Sequence, residues 1–96
     1  MADYRFAPAA QRDLEDVFDY TVERWGLVQA MRYAERIAAA CADLAEAPER
    51  AQRCDHVRAG YRRRSVEQHV IYFQATVYGI AVIRILHQRM DVSRLL

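Results

Sequence analysis

Four side chains in the second half of this 96-residue chain are of the types that phosphate chemistry uses: Arg62, Arg64, Arg84 and His87. Cleaving RNA takes a base near the 2′-hydroxyl, an acid for the leaving oxygen and cations on the phosphate. The arginines and His87 supply cations and one titrating group. A second acid or base is missing, because Asp55, Glu67 and Asp91 are the only acids after residue 50 and Glu67 falls at a turn. The arginine run therefore reads first as a solvated or partner-paired face. Cys54-x-His56 offers two metal ligands where a zinc site takes about four, and no other pair lies at recognisable spacing. Glycines at 26, 60 and 79 are too scattered for a phosphate-cradling loop, and no Ser or Cys stands in a nucleophile motif. No catalytic residue, metal or cofactor is expected.

The elements that must position these groups are readable from periodicity. Ile80, Ala81, Val82, Ile83, Ile85 and Leu86 make an almost unbroken apolar run, which predicts a central strand covered on both faces. Arg84 interrupts it, and a charge there is tolerated only if it is paired or leads into an open groove. His87, Gln88 and Arg89 follow at the sheet edge. Before this, Tyr61–Val66 and His69–Gln74 alternate with period two, with short breaks at Glu67-Gln68 and Tyr78-Gly79. These are consecutive antiparallel hairpins.

The first half is helical. Pro8 suits a first helical turn, and Leu14, Val17, Phe18, Thr21, Val22 and Trp25 recur at three- and four-residue spacing opposite an acidic face. Early acids favour the positive helix end, and Gly26 supplies the left-handed stop. Trp25 and the tyrosines at this spacing read as core rather than as a recognition platform. A second, alanine-rich helix runs from Gly26 to Pro48, with Ala30, Tyr33, Ala34, Ile37, Cys41 and Leu44 on one stripe. So short a link folds the two into a hairpin. Tyr4-Arg5-Phe6 reads as an edge strand, and Glu49–Ala59 as a loop. The class is α+β, a single domain over 1–96, with one sheet face open or filled by a partner.

Composition sets the partners. The chain is 53% hydrophobic and 28% charged, with no signal-type run in Met1–Arg5 and no membrane-length stretch, so a cytoplasmic protein is expected. Cys41 and Cys54 read as reduced thiols. Residues 1–49 hold five Arg against ten acids, a net of −5, while residues 50–96 hold nine Arg against three, a net of +6. That asymmetry points to a basic surface for an acidic partner or a phosphate backbone. All 14 basic residues are Arg, the side chain suited to bidentate pairing.

Taken in order, Tyr4-Arg5-Phe6, Ala9–Val17, Tyr20, Arg24-Trp25-Gly26, the alanine-rich helix, Arg58–Arg63, His69–Phe73 and Ile83–Asp91 resemble the ParE toxins of bacterial toxin–antitoxin pairs, within the RelE/ParE superfamily. The resemblance covers nearly the whole chain. It implies a helical hairpin on an antiparallel sheet, and a growth-inhibiting toxin neutralised by a ParD-like antitoxin in a heterotetramer or larger assembly. ParE-like members act on DNA gyrase, whereas RelE-like relatives cut messenger RNA on the ribosome. The absence of Lys fits the former, and His87, near a catalytic His of some ribonuclease relatives, keeps the latter open. A non-toxic binding module is a third reading. On this resemblance Trp25, Arg62, Arg64, Tyr72 and Arg84 would face the antitoxin, and His87, Arg89, Met90, Arg94, Leu95 and Leu96 the target. DNA would be met only through the antitoxin. Ala7 stands where the family's polar helix cap usually is.

Overall fold

The computed structural model describes residues 2–96. Two amphipathic helices, α1 (Pro8–Trp25) and α2 (Leu27–Glu46), are separated by Gly26 alone. Gly26 has φ 90° and ψ 169°, a positive-φ but extended conformation rather than the left-handed helical one expected, and its N–H still closes α1 on the Val22 carbonyl. Pro8 lies in the first turn of α1, and Ala7 gives no side-chain cap. That turn holds no acid, contrary to expectation. Ala30, Ala40 and Ala45 are buried on α2, so small side chains bring its backbone close to its neighbours.

Under the helices lies a five-stranded sheet of β1 (Asp3–Phe6), β2 (Gln52–Arg53), β3 (Tyr61–Val66), β4 (His69–Thr76) and β5 (Gly79–His87), in the order β1-β5-β4-β3-β2. The α+β class and the meander of β3, β4 and β5 are as the alternation requires. Three features differ from the expectation. β1 pairs with β5 in parallel, so the sheet is mixed, because the helical hairpin makes a crossover between the first strand and the meander. The middle strand is β4, with β5 one place out. A 3-10 turn at Pro48–Arg50 and β2 occupy a stretch read as loop, both being too short to show a period.

β5 contains a bulge that decides where its charge goes. Tyr72 pairs with Arg84 and Phe73 with Val82, leaving Ile83 as the extra residue. Ile80 and Val82 belong to the core beneath the helices. In strict alternation Arg84 would follow them there, and the bulge instead turns it to the opposite face and returns Ile85 to the core.

The main core joins Ile37, Cys41 and Leu44 of α2 to Ile71, Phe73, Ile80, Val82 and Ile85. Burial pushes the Cys41 thiol up to about 12, and both cysteines are free. The sheet face away from the helices is not left open. Cys54, Tyr61, Val70, Tyr72 and Leu86 form a second buried cluster there, covered by Val57, Val92 and Leu96. Val92 opens a short C-terminal helix, α3 (Val92–Leu95), which periodicity is too brief to reveal. Asp91 caps it, accepting from the Ser93 N–H at 3.1 Å and the Ser93 hydroxyl at 2.6 Å. Among the described residues no helix is long and apolar enough to cross a membrane.

Candidate functional site

β1 stops at Phe6, opposite Val82, so the outer edge of β5 is unpaired beyond that point. Asp13 of α1 fills the gap. Its Oδ2 accepts from the Ile85 N–H at 3.0 Å and from Arg84 Nε at 2.7 Å, and its Oδ1 accepts from Arg84 Nη2 at 2.9 Å. The side chains are 22% and 13% exposed for Arg84 and Asp13, a bidentate pair largely shielded from water. Arg84 Nη1 also reaches the Leu95 carbonyl at 3.4 Å. These bonds to Asp13 hold the guanidinium still more firmly protonated than usual. Arg84 is thus an internal clamp between α1, β5 and α3, with its carboxylate supplied by the chain itself.

The other residues expected to face an antitoxin are spread apart. Arg62 lies under the 3-10 turn, donating to the Ala51 carbonyl at 2.8 Å and the Glu49 carbonyl at 3.4 Å, which fastens the β2 strip. Arg64 is exposed at a cleft with Asp43, Glu46 and Arg50. Tyr72 is only 5% exposed within the second cluster, so it is scaffold. Trp25, read as core from its spacing, is 69% exposed. It ends α1, and Tyr20, Leu27, Val28 and Met31 beside it are exposed too, giving the hairpin an apolar tip. The tip and Arg62 sit at opposite ends of the 20-residue α2, about 30 Å apart at 1.5 Å per residue.

At the far end of β5, His87 is half-buried and accepts from the Arg89 N–H through Nδ1 at 3.1 Å. Its ring meets His69 edge-on, with centroids 5.4 Å apart. His69 Nδ1 lies 2.6 Å from the Tyr33 hydroxyl of α2, which also reaches the Val66 carbonyl at 3.1 Å. The hydroxyl has one proton to give, so donation to Val66 leaves His69 as donor to the tyrosine oxygen. Next to it Arg36 pairs with Glu67 at the β3–β4 turn, where Glu67 takes φ 55°. Of the target-facing set, Arg89, Met90, Arg94 and Leu95 are exposed, while Leu96 packs on the second cluster. The four groups considered for RNA cleavage do not converge: Arg84 is on the opposite sheet face from Arg62 and Arg64, and Arg62 and Arg84 already have partners.

The Asp13 partner of Arg84, the Tyr33–His69 contact and the exposed residues beside Trp25 were not legible from the sequence. Asp13 is one of five acids in α1, and Tyr33 falls on the buried stripe. Only the pairing of a lone charge in β5 with an acid on α1 could have been sought.

Burial, with a smaller contribution from His87, holds the His69 pKa below its usual value, while Asp13 opposes this weakly. A depressed pKa means the unfolded chain binds the proton more readily. The resulting stabilisation is complete above about 6.5 and is lost as pH falls through the folded value. Melting temperature should therefore drop between pH 7.5 and 5.5, and the drop should shrink in His69→Gln. Parallel curves for the two proteins would contradict this.

The architecture matches a solved chain titled as the chromosomal ParDE system from P. aeruginosa, with a TM-score of 0.77 over 91% of this chain and 96% of that one. At 19% identity that likeness concerns the fold. The family follows from sequence: the model for the ParE toxin of type II toxin–antitoxin system, parDE, matches residues 4–92, and this chain belongs to that family. It is 43% identical over 92 residues to Toxin ParE1 of Mycobacterium tuberculosis, covering 95% of this chain and 94% of the relative. Toxin ParE1 of Caulobacter vibrioides is 38% identical over 91 residues, with the same coverage of each. The chain is the toxin component of a type II toxin–antitoxin pair.

Proposed function

We propose that this toxin acts in the cytoplasm by inhibiting DNA gyrase through binding rather than through chemistry of its own, and that a ParD-like antitoxin neutralises it in a heterotetramer or larger assembly. The observation that carries the non-enzymatic reading is the dispersal of Arg62, Arg64, Arg84 and His87, three of them already bonded within the chain. The gyrase target rests on the family likeness. The target surface is the end of β5 and the tail, with His87, Arg89, Met90, Arg94 and Leu95, and Leu96 as its anchor on the sheet. Purified toxin should block gyrase supercoiling, lose that effect on adding antitoxin, and leave ribosome-bound messenger intact. Messenger cleavage that disappears in His87→Gln would replace this reading with ribonuclease action.

The antitoxin contact is divided between the hairpin tip and the Arg64 cleft. An extended, partly disordered acidic segment can span both, laying apolar residues on the tip and carboxylates at Arg64. Exposed tryptophans anchor interfaces more often than other side chains. Trp25→Ala should weaken antitoxin binding at least tenfold by titration calorimetry, about 1.4 kcal/mol, with an unchanged melting temperature. An unaltered affinity would remove the tip from the antitoxin surface.

A further inference from the structure

Charge is layered in this fold. The two helices carry four Arg and eight acids, a net of −4, whereas residues 47–96 carry nine Arg and four acids, a net of +5. Folding places the first set on one side of the sheet. On the other side, away from α1 and α2, the second buried cluster is ringed by arginines. Arg63 reaches over the Tyr72 ring at 5.8 Å, Arg58 follows Val57, and Arg94 lies between Val92 and Leu96, with Arg89 just before them. None of these four has a carboxylate within 4.0 Å among the described residues.

The acids on this side are occupied locally. Asp55 pairs with Arg53 at 2.7 Å and accepts from the Gly60 N–H at 2.9 Å. The Gly60 bond is the main reason its carboxyl titrates below the ordinary range. Asp91 is the cap of α3. A strand edge guarded against aggregation needs only a charge or two, of either sign. Four unanswered guanidiniums around one face, held on a strand, a tight loop and a capped helix, exceed that need.

We infer that this face holds the phosphate backbone of a nucleic acid, so that the toxin touches DNA directly and not only through its antitoxin. At Arg58 and Arg63 a phosphate backbone fits better than an acidic polypeptide, because a protein interface has an apolar centre. The exposed apolar residues concentrate at the hairpin tip, with only Met90 and Leu95 near this face. Arginine forks suit phosphate oxygens, and backbone contacts need no base-reading element. The DNA face shares Arg89 and Arg94 with the proposed gyrase surface, but the two are read separately: a toxin that binds DNA and spares gyrase would refute the gyrase reading alone.

The test is fluorescence anisotropy of the full-length toxin with a labelled DNA duplex, an RNA duplex of equal length and a polyglutamate peptide, from 50 to 200 mM salt. Binding to DNA should weaken with salt at a log–log slope of about −0.9 per phosphate neutralised. The triple variant Arg58→Gln, Arg63→Gln, Arg94→Gln should lose at least tenfold in affinity and flatten that slope, with its melting temperature and antitoxin affinity retained. Equal binding of the RNA duplex would assign the contact to the backbone in general, and a DNA preference to duplex shape. The inference fails if no DNA binding is measurable at 50 mM salt, if the triple variant binds as well as the parent, or if polyglutamate binds more tightly than either duplex.

Discussion

Asp13→Ala should lower stability by roughly 2–4 kcal/mol, a large loss for one residue of a solvent-facing helix. Two costs combine. Arg84 loses the carboxylate that answers its charge in a site 22% exposed, and the Ile85 N–H, beyond the reach of β1, loses its acceptor. The pair is not fully desolvated, so the estimate stays below the upper range for buried ion pairs. In a chain of this size each kcal/mol shifts the melting temperature by about 4–8 °C, so the loss is easily measured. Arg84→Met should cost less, because Asp13 would keep the Ile85 N–H. A double-mutant cycle should give a coupling above about 1 kcal/mol. Additive effects, or an Asp13→Ala protein within 0.5 kcal/mol of the parent, would show that the clamp contributes nothing.

The clamp bears on the proposed target surface because Arg84 touches the tail at Leu95 and lies three residues before His87. Loss of toxicity in an Arg84 variant is therefore expected to follow loss of tail order rather than loss of a partner contact. Deleting Val92–Leu96 strips two residues from the cover of the second cluster. That deletion changes the sheet's own packing as well as any target contact.

The sequence carried most of the scaffold and little of the site, for a physical reason. Long elements repeat: α1 and α2 show their periods over five turns, β3 and β4 alternate, and β5 is a nine-residue, mostly apolar strand. Pattern reading fails where one residue changes parity. The bulge at Ile83 moves Arg84 from one face to the other, and nothing in the run Val82-Ile83-Arg84-Ile85 announces which residue is extra. Short elements such as β2 and α3 contain barely one full repeat. Long-range partners were invisible for another reason. Asp13 and Arg84 are 71 residues apart, and α1 offers several acids of equal standing. Trp25 was misplaced because helical spacing predicts which side of a helix is apolar, not where the helix outruns the sheet it covers.

Gly79→Ala should be the most damaging single-methyl change in the chain, because there the first strand touches the last. Gly79 has φ 142° and pairs with Asp3 at the start of the parallel β1–β5 ladder. A Cβ at this position would overlap the Asp3 carbonyl oxygen and sit 2.8 Å from the Asp3 nitrogen. Both atoms are backbone, so no rotamer change relieves the clash. β1 must move, and with it Tyr4 and Phe6, which pack against the main core. The expected cost is at least about 4 kcal/mol, in the range reserved for strain joined to lost packing. Gly60 supplies the control. It too has a positive φ, 84°, but a Cβ there meets nothing within 4 Å. Gly60→Ala should therefore show only the conformational penalty, about 1–2 kcal/mol. The difference between the two substitutions isolates the close approach of β1. Hydrogen exchange should locate it, with amides of Asp3–Phe6 losing protection in Gly79→Ala and keeping it in Gly60→Ala. Equal destabilisation by the two, with β1 protected in both, would mean that the contact of β1 with Gly79 does not govern the stability of this sheet edge.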